Sequence, residues 1–192
     1  PSGTVQEGKK NQMYKKICIT NRHQVHSDFM RQMEKIASSD VDAIVLREDD
    51  VSEDEFYELA WKVQRICQRH KIQFLVDSFP EVARKLGADG IHLPIRELRK
   101  MDAGFLRQFQ VIGVSTHSCA EAVEAEELGA SYITLGHIFN KGRTTMDLKP
   151  QRTGLISEAR RQVSVPIFAA GGIRPERIMS SIDSEANGIC MM

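Results

Sequence analysis

The 192-residue sequence lacks several features that would place it in a special class of protein. It has no run of about 18 apolar residues, which excludes a membrane-spanning helix at the level of sequence. Lysine and arginine together number 26, as do aspartate and glutamate, so no excess of charge of one sign points to nucleic acid or an anionic membrane as a partner. No Pro/Ser-rich linker or block of charge divides the chain, and we predict a single domain.

Cysteine is scarce and shows no CxxC spacing. The four cysteines are Cys18, Cys67, Cys119 and Cys190. Three of them lie inside apolar periodic segments, which is typical of reduced core residues in a cytoplasmic protein. Residues 1–12 are polar and aperiodic, so we expect a disordered N-terminal extension there and the domain over residues 13–192.

Eight apolar runs recur along the chain with helical segments between them. The eight runs span residues 16–20, 43–47, 72–77, 90–93, 110–116, 132–137, 165–170 and 188–192. Several of them are continuously apolar, as expected of parallel strands that are covered on both faces. Capping boxes mark two helix starts, Ser52 with Glu55 and Ser118 with Glu121. This alternation predicts a single-domain α/β fold, the (β/α)₈ TIM barrel. Because the chain ends on the eighth run, we expect the last helix of the barrel to be absent from it.

Histidines follow two consecutive runs, at the barrel edge where catalytic residues lie in this fold. His117 follows the fifth run and His137 ends the sixth, and both are predicted acid/base residues because imidazole titrates near neutral pH. The alternative for each is a hydrogen bond to a loop carbonyl. His92 lies within the fourth run and is predicted to be a buried structural residue. No metal site is predicted, since the nearby pair His23 and His26 has no third ligand.

Anion-binding features follow the second and seventh runs. Gly171-Gly172 precedes a helix start, so backbone amides could approach a phosphate; the alternative is a tight turn that binds nothing. Arg47 could hold a carboxylate or phosphate, or pair with neighbouring acids that include Asp77. Lys141 and Arg143 lie in a long loop as either a solvated charge run or a lid over an anionic ligand.

Five short motifs follow one another along the chain: Leu46-Arg47-Glu48, Gly-Ala-Asp-Gly-Ile-His-Leu at 87–93, Ile-Gly-Val-Ser-Thr-His-Ser at 112–118, Gly-His-Ile-Phe at 136–139, and Ala-Gly-Gly-Ile at 170–173. In this order they resemble the thiamin phosphate synthase/TenI superfamily. The resemblance covers about residues 14–192. The fold of that superfamily is a (β/α)₈ barrel, in agreement with the alternation of elements.

Within the superfamily the resemblance favours the TenI branch. A histidine at the position of His137 is typical of that branch, whereas synthases usually have proline there. The synthase pattern also has a diphosphate-binding lysine where this chain has Asp49, an Asn-Asp pair where it has Val76-Asp77, and a magnesium-binding aspartate where it has Glu97. Its Thr-x-Thr-Lys loop is not reproduced in residues 140–149. The reversed charge at Asp49 predicts weak binding of a pyrimidine diphosphate.

The TenI resemblance implies a thiazole tautomerase, an isomerase that aromatises a thiazole phosphate carboxylate without a metal or redox cofactor. His137 would be the principal acid/base and His117 a second one or an orienter. The predicted substrate-binding residues are Arg47, Asp77, Ser115, Gly171 and Gly172. The expected partner is a small phosphorylated thiazole, with neither nucleic acid nor membrane; a homo-oligomer stays open. The alternatives are a thiamin phosphate synthase, which joins a pyrimidine diphosphate to a thiazole phosphate, and a non-catalytic protein that binds phosphorylated ligands.

Overall fold

Eight strands pair in chain order and close into a parallel barrel. They are seen in a computed structural model that describes residues 15–139, 153–183 and 185–192. The strands are β1 (Lys15–Ile19), β2 (Ala43–Leu46), β3 (Gln73–Asp77), β4 (Gly90–Pro94), β5 (Val111–Thr116), β6 (Tyr132–Leu135), β7 (Ile167–Ala170) and β8 (Gly188–Met191). Strand β8 closes the barrel on β1, with Gly188 opposite Lys15. The predicted (β/α)₈ barrel is confirmed.

Helices cover the outside of the barrel between the strands. They are α1 (Phe29–Ala37), α2 (Glu53–His70), α3 (Pro80–Leu86), α4 (Ile95–Leu98), α5 (Ala103–Leu106), α6 (Cys119–Glu127), α7 (Thr153–Arg160) and α8 (Ile178–Asp183), with short 3₁₀ turns at Arg22–Gln24 and Pro175–Arg177. None of the helices in the described part of the chain is long and apolar enough to span a membrane. The predicted extension at residues 1–12 lies outside the described residues, as do Lys141 and Arg143.

The two predicted capping boxes have different outcomes. At α2 the prediction is confirmed: Ser52 Oγ accepts from the Glu55 amide, and Glu55 accepts from the Ser52 amide at 3.0 Å. At α6 Ser118 caps the helix, but the Glu121 carboxylate accepts from the amide of His117 at 2.6 Å. The predicted hydrogen bond from the Ser118 amide to the Glu121 carboxylate was therefore wrong, because the carboxylate accepts from the preceding residue instead.

Apolar side chains pack on both faces of the barrel wall, which explains why several strands are continuously apolar. The inner face carries Ile17, Val45, Leu75 and Phe168, and a larger cluster lies between the outer face and the helices. All four cysteines are free thiols. Burial raises the pKa of Cys67 to about 12, so this thiol is a poor nucleophile.

Candidate functional site

A cavity of about 1040 Å³ opens at the carboxyl ends of the strands. All seven predicted site residues line it: Arg47, Asp77, Ser115, His117, His137, Gly171 and Gly172. The barrel brings them together because consecutive parallel strands end at the same edge. Their roles remain predictions.

The His137 side of the cavity is built from the ends of β6 and β7. The amides of Ile138 and Phe139 donate to the carbonyls of Ala170 and Gly171, at 2.9 and 3.2 Å. Gly171 has a φ of 84°, and a Cβ placed on it would lie 2.6 Å from His137 Nδ1. Only glycine therefore allows this turn to lie directly against the histidine ring.

His117 is held by both its backbone and its side chain. Its Nδ1 donates to the carbonyl of Gly136 at 2.7 Å, so the loop-carbonyl hydrogen bond considered as an alternative is present. The neutral ring then carries its proton on Nδ1. Its centroid lies 5.7 Å from that of His137, which places two imidazoles side by side at the mouth of the cavity.

Arg47 lies across the barrel from His137, between two carboxylates. Its guanidinium is 3.9 Å from Asp77 and 3.8 Å from Asp49, so the predicted ion pairing with neighbouring acids is present at long range. Asp77 is only 5% exposed. Burial raises its pKa to about 6, while the hydrogen bond from Ser78 and the charge of Arg47 act in the opposite direction.

Several further charged residues that line the cavity were not predicted as site residues. Glu48 is buried and accepts hydrogen bonds from the Thr20 hydroxyl at 2.9 Å and from the Arg22 amide at 3.0 Å, so it ties the loop after β1 to that after β2. Arg96 and Arg174 add positive charge to the lining. Nothing in the sequence distinguishes these two arginines from ordinary surface arginines.

His92 is fully buried inside the barrel, and both ring nitrogens are hydrogen-bonded, as predicted for a structural residue. His23 pairs with Asp50 at the rim, at 2.8 Å. Across the described ranges no group of three or more histidine, cysteine, aspartate or glutamate side chains is arranged to hold a metal ion.

Comparisons with known proteins point to one family. The model of a family described as thiamine monophosphate synthase matches residues 17–192. A thiamine-phosphate synthase from Chlorobium phaeobacteroides is 37% identical over 150 residues, which cover 78% of this chain and 73% of the relative. A putative thiamine-phosphate synthase 2 from Aquifex aeolicus is 32% identical over 174 residues, which cover 90% of this chain and 92% of the relative.

A solved structure extends the likeness to the fold. The thiamine phosphate pyrophosphorylase from Pyrococcus furiosus superposes with a TM-score of 0.77 at 22% identity, covering 94% of this chain and 86% of that one. The resemblance to the thiamin phosphate synthase/TenI superfamily is thus confirmed.

The predicted isomerase function was wrong. Relatives that are 30% to 37% identical over most of this chain are named thiamine-phosphate synthase, not tautomerase. The prediction depended mainly on His137. A histidine at a strand end can donate a hydrogen bond to a phosphate as readily as it can move a proton, so this one residue does not determine the reaction.

Magnesium, which the synthase pattern implies, would find one carboxylate of that pattern, Asp77, at the cavity. Asp77 lines the cavity, but Glu97 does not; both of its oxygens accept from Lys100, at 3.1 and 3.0 Å, and Arg96 lies 3.4 Å away. Protein sites for Mg²⁺ usually offer one or two carboxylates beside substrate phosphates. Here the second carboxylate of the pattern is engaged with cations on α4 and its C-terminal flank instead.

Proposed function

This chain belongs to the thiamine monophosphate synthase family, and we propose that it is a transferase that joins a pyrimidine diphosphate to a thiazole phosphate. The thiazole nitrogen would form a bond to the carbon of the pyrimidine substrate that bears the diphosphate group. The carbon–oxygen bond to the diphosphate breaks, and the diphosphate leaves with the electron pair. Both substrates are phosphorylated small molecules.

The observation that supports this proposal is that the two regions predicted to bind anions lie on opposite sides of one cavity. In a barrel whose eight strands follow chain order, β2 lies across from β6 and β3 across from β7. Arg47 directly follows β2, whereas His137 and the Gly171-Gly172 turn follow β6 and β7. Two phosphorylated substrates can thus bind with their phosphates apart and their rings facing each other between them, which favours bond formation by orientation.

We assign the diphosphate to the Arg47 side of the cavity. Arg47 can donate two hydrogen bonds to a phosphate, and Arg96 adds a second positive charge to the lining. The charge of Asp49, from which weak diphosphate binding was expected, is partly offset because this carboxylate faces Arg47. Charge that develops on the departing diphosphate would be stabilised by these guanidinium groups.

We assign the thiazole phosphate to the opposite side, between His137, His117 and the Gly171-Gly172 turn. Both glycines have left-handed backbone conformations, with φ of 84° and 65°, which expose their backbone to a ligand that lies in the cavity. In this assignment the histidines hold a phosphate and transfer no proton.

The proposed function is tested by incubating the full chain with a pyrimidine diphosphate and a thiazole phosphate in a buffer that contains MgCl₂. We expect equal amounts of thiamin phosphate and inorganic pyrophosphate, with neither formed when one substrate is omitted. Binding of both substrates without release of pyrophosphate would instead identify a non-catalytic phosphate-binding protein.

Replacement of Arg47 by glutamine should raise the KM for the pyrimidine diphosphate by about tenfold or more, because a charge-assisted hydrogen bond is lost. The KM for the thiazole phosphate should stay nearly constant. Arg84→Gln is a matched control, since Arg84 is exposed to a similar degree, 45% against 43%, and pairs with Glu81 away from the cavity. Equal effects on both KM values would contradict the assignment of Arg47 to the diphosphate.

A further inference from the structure

Four polar side chains form a hydrogen-bonded chain inside the barrel, directly beneath the cavity. His92 Nδ1 lies 2.8 Å from the hydroxyl of Tyr132, and His92 Nε2 lies 2.8 Å from the hydroxyl of Ser115. The hydroxyl of Thr134 donates to that of Ser115 at 3.2 Å. Ser115 and Thr134 line the cavity, whereas His92 is fully buried and Tyr132 is 7% exposed. The chain thus runs from the closed interior of the barrel to the substrate cavity.

Gly113 leaves the space in which this chain forms. It lies on β5 with His92 beside it on β4 and Tyr132 beside it on β6. A Cβ on Gly113 would lie 2.5 Å from His92 Nδ1 and would overlap the Tyr132 hydroxyl. The two side chains can therefore meet across β5 only because this position has no side chain.

The directions of these hydrogen bonds follow from the number of protons available. Burial lowers the pKa of His92 to about 4, and the positive charge of Arg47 adds to this effect, so the ring is neutral at pH 7 and has a single N–H. Among the described residues, Nδ1 is the one acceptor placed near the Tyr132 hydroxyl. A buried hydroxyl without an acceptor is costly, so Tyr132 donates to Nδ1, and the ring proton lies on Nε2.

Ser115 then has its two accepting positions occupied. Nε2–H of His92 and the hydroxyl of Thr134 both donate to its oxygen. A serine hydroxyl can accept two hydrogen bonds and donate one. Its own proton is consequently directed away from both donors, towards the cavity that Ser115 lines.

We propose that Tyr132 and His92 are positioning residues that fix the Ser115 hydroxyl as a hydrogen-bond donor to an acceptor atom of the substrate. The ligand class is a molecule that presents a ring nitrogen or a phosphate oxygen to the cavity floor. A donor that is already oriented needs no rearrangement when the substrate binds. The identity of the substrate rests on the proposed function, but the orientation of the hydroxyl does not.

The first test reads the tautomer of His92 directly, without any activity. In ¹⁵N-histidine-labelled full-length protein at pH 7, we expect the His92 signals of a neutral ring that is protonated on Nε2 and unchanged down to about pH 5. Comparison with His92→Asn assigns the signals among the six histidines. Tyr132→Phe should leave the proton on Nε2 and move the Nδ1 signal further towards that of a nitrogen that accepts no hydrogen bond. A native ring that is protonated on Nδ1 would overturn the proposal.

The second test is a double-mutant cycle on kcat/KM. Tyr132→Phe alone should lower kcat/KM about tenfold, whereas in the Ser115→Ala background it should cause no further loss. Tyr57→Phe on α2 is the matched control and should change neither background. Losses that multiply in the double variant would show that Tyr132 does not act through Ser115 and would overturn the proposal. If the chain has no synthase activity, the same cycle is read on the dissociation constant of the pyrimidine diphosphate.

Discussion

Gly171→Ala should lower the proposed synthase activity by at least about 100-fold while the chain still folds. The added methyl group would lie 2.6 Å from His137 Nδ1 and 3.0 Å from its Cα, so either the ring or the turn must move. Displacement of about 1 Å in a site of this kind can cost about 100-fold in rate. The effect should be largest on the KM for the thiazole phosphate, which we place against this turn.

Gly87→Ala separates this effect from backbone strain. Gly87 also has a left-handed conformation, with φ of 59°, but a Cβ there meets nothing within 4 Å. Both variants should lose roughly 1 kcal/mol of stability from the unfavourable φ. Steady-state kinetics should show the large loss only in Gly171→Ala. Comparable activity of the two variants would contradict the assigned contact between the turn and His137.

Asp77→Asn should stabilise the protein by about 2–3 kcal/mol at pH 7 and hardly at all at pH 4. Burial raises the pKa of this carboxyl from 3.8 to about 6, so the folded state disfavours its ionised form. The resulting penalty is absent below about pH 4, grows as the pH rises, and is complete above about pH 6. Asparagine keeps the shape and can still accept from Ser78, but it carries no charge to bury.

Urea unfolding at pH 4 and pH 7 measures this difference. The control is Asp40→Asn, the same chemical change at a carboxylate that is 90% exposed and pairs with Lys16, which should alter stability by less than about 0.5 kcal/mol at either pH. If Asp77→Asn has the same free energy of unfolding as the native protein at pH 7, the ionised carboxylate is better compensated by Arg47 than its burial implies.

The barrel was predictable because several strands are apolar on both faces and alternate with helices, but the strand ends were not. The sixth run was expected to continue to His137, whereas β6 ends at Leu135. Beyond that residue, the carbonyl of Gly136 accepts from the side chain of His117. The third run was expected from Ile72, whose amide is instead bonded to Cys67 at the end of α2. Such competing hydrogen bonds depend on tertiary contacts that the local sequence does not contain.

The position of the candidate site was predictable only because its residues lie at or directly after the carboxyl ends of strands. All seven predicted residues line the cavity, because strand order alone brings them to one edge. The buried acid Glu48 was missed, since its partners Thr20 and Arg22 are more than 25 positions away. The pairing of His92 with Tyr132 was missed as well, because it depends on the register of three strands around Gly113.

The hydrogen bond from the His117 amide to Glu121 links the cavity to the first turn of α6. Helix ends open locally far more often than barrel strands. When this turn frays, the carboxylate releases the backbone amide of His117 at the cavity mouth, whose side chain still donates to the carbonyl of Gly136. The rigidity of this side of the site therefore depends in part on a helix end on the outside of the barrel, and gentle warming should break this one hydrogen bond before the strands separate.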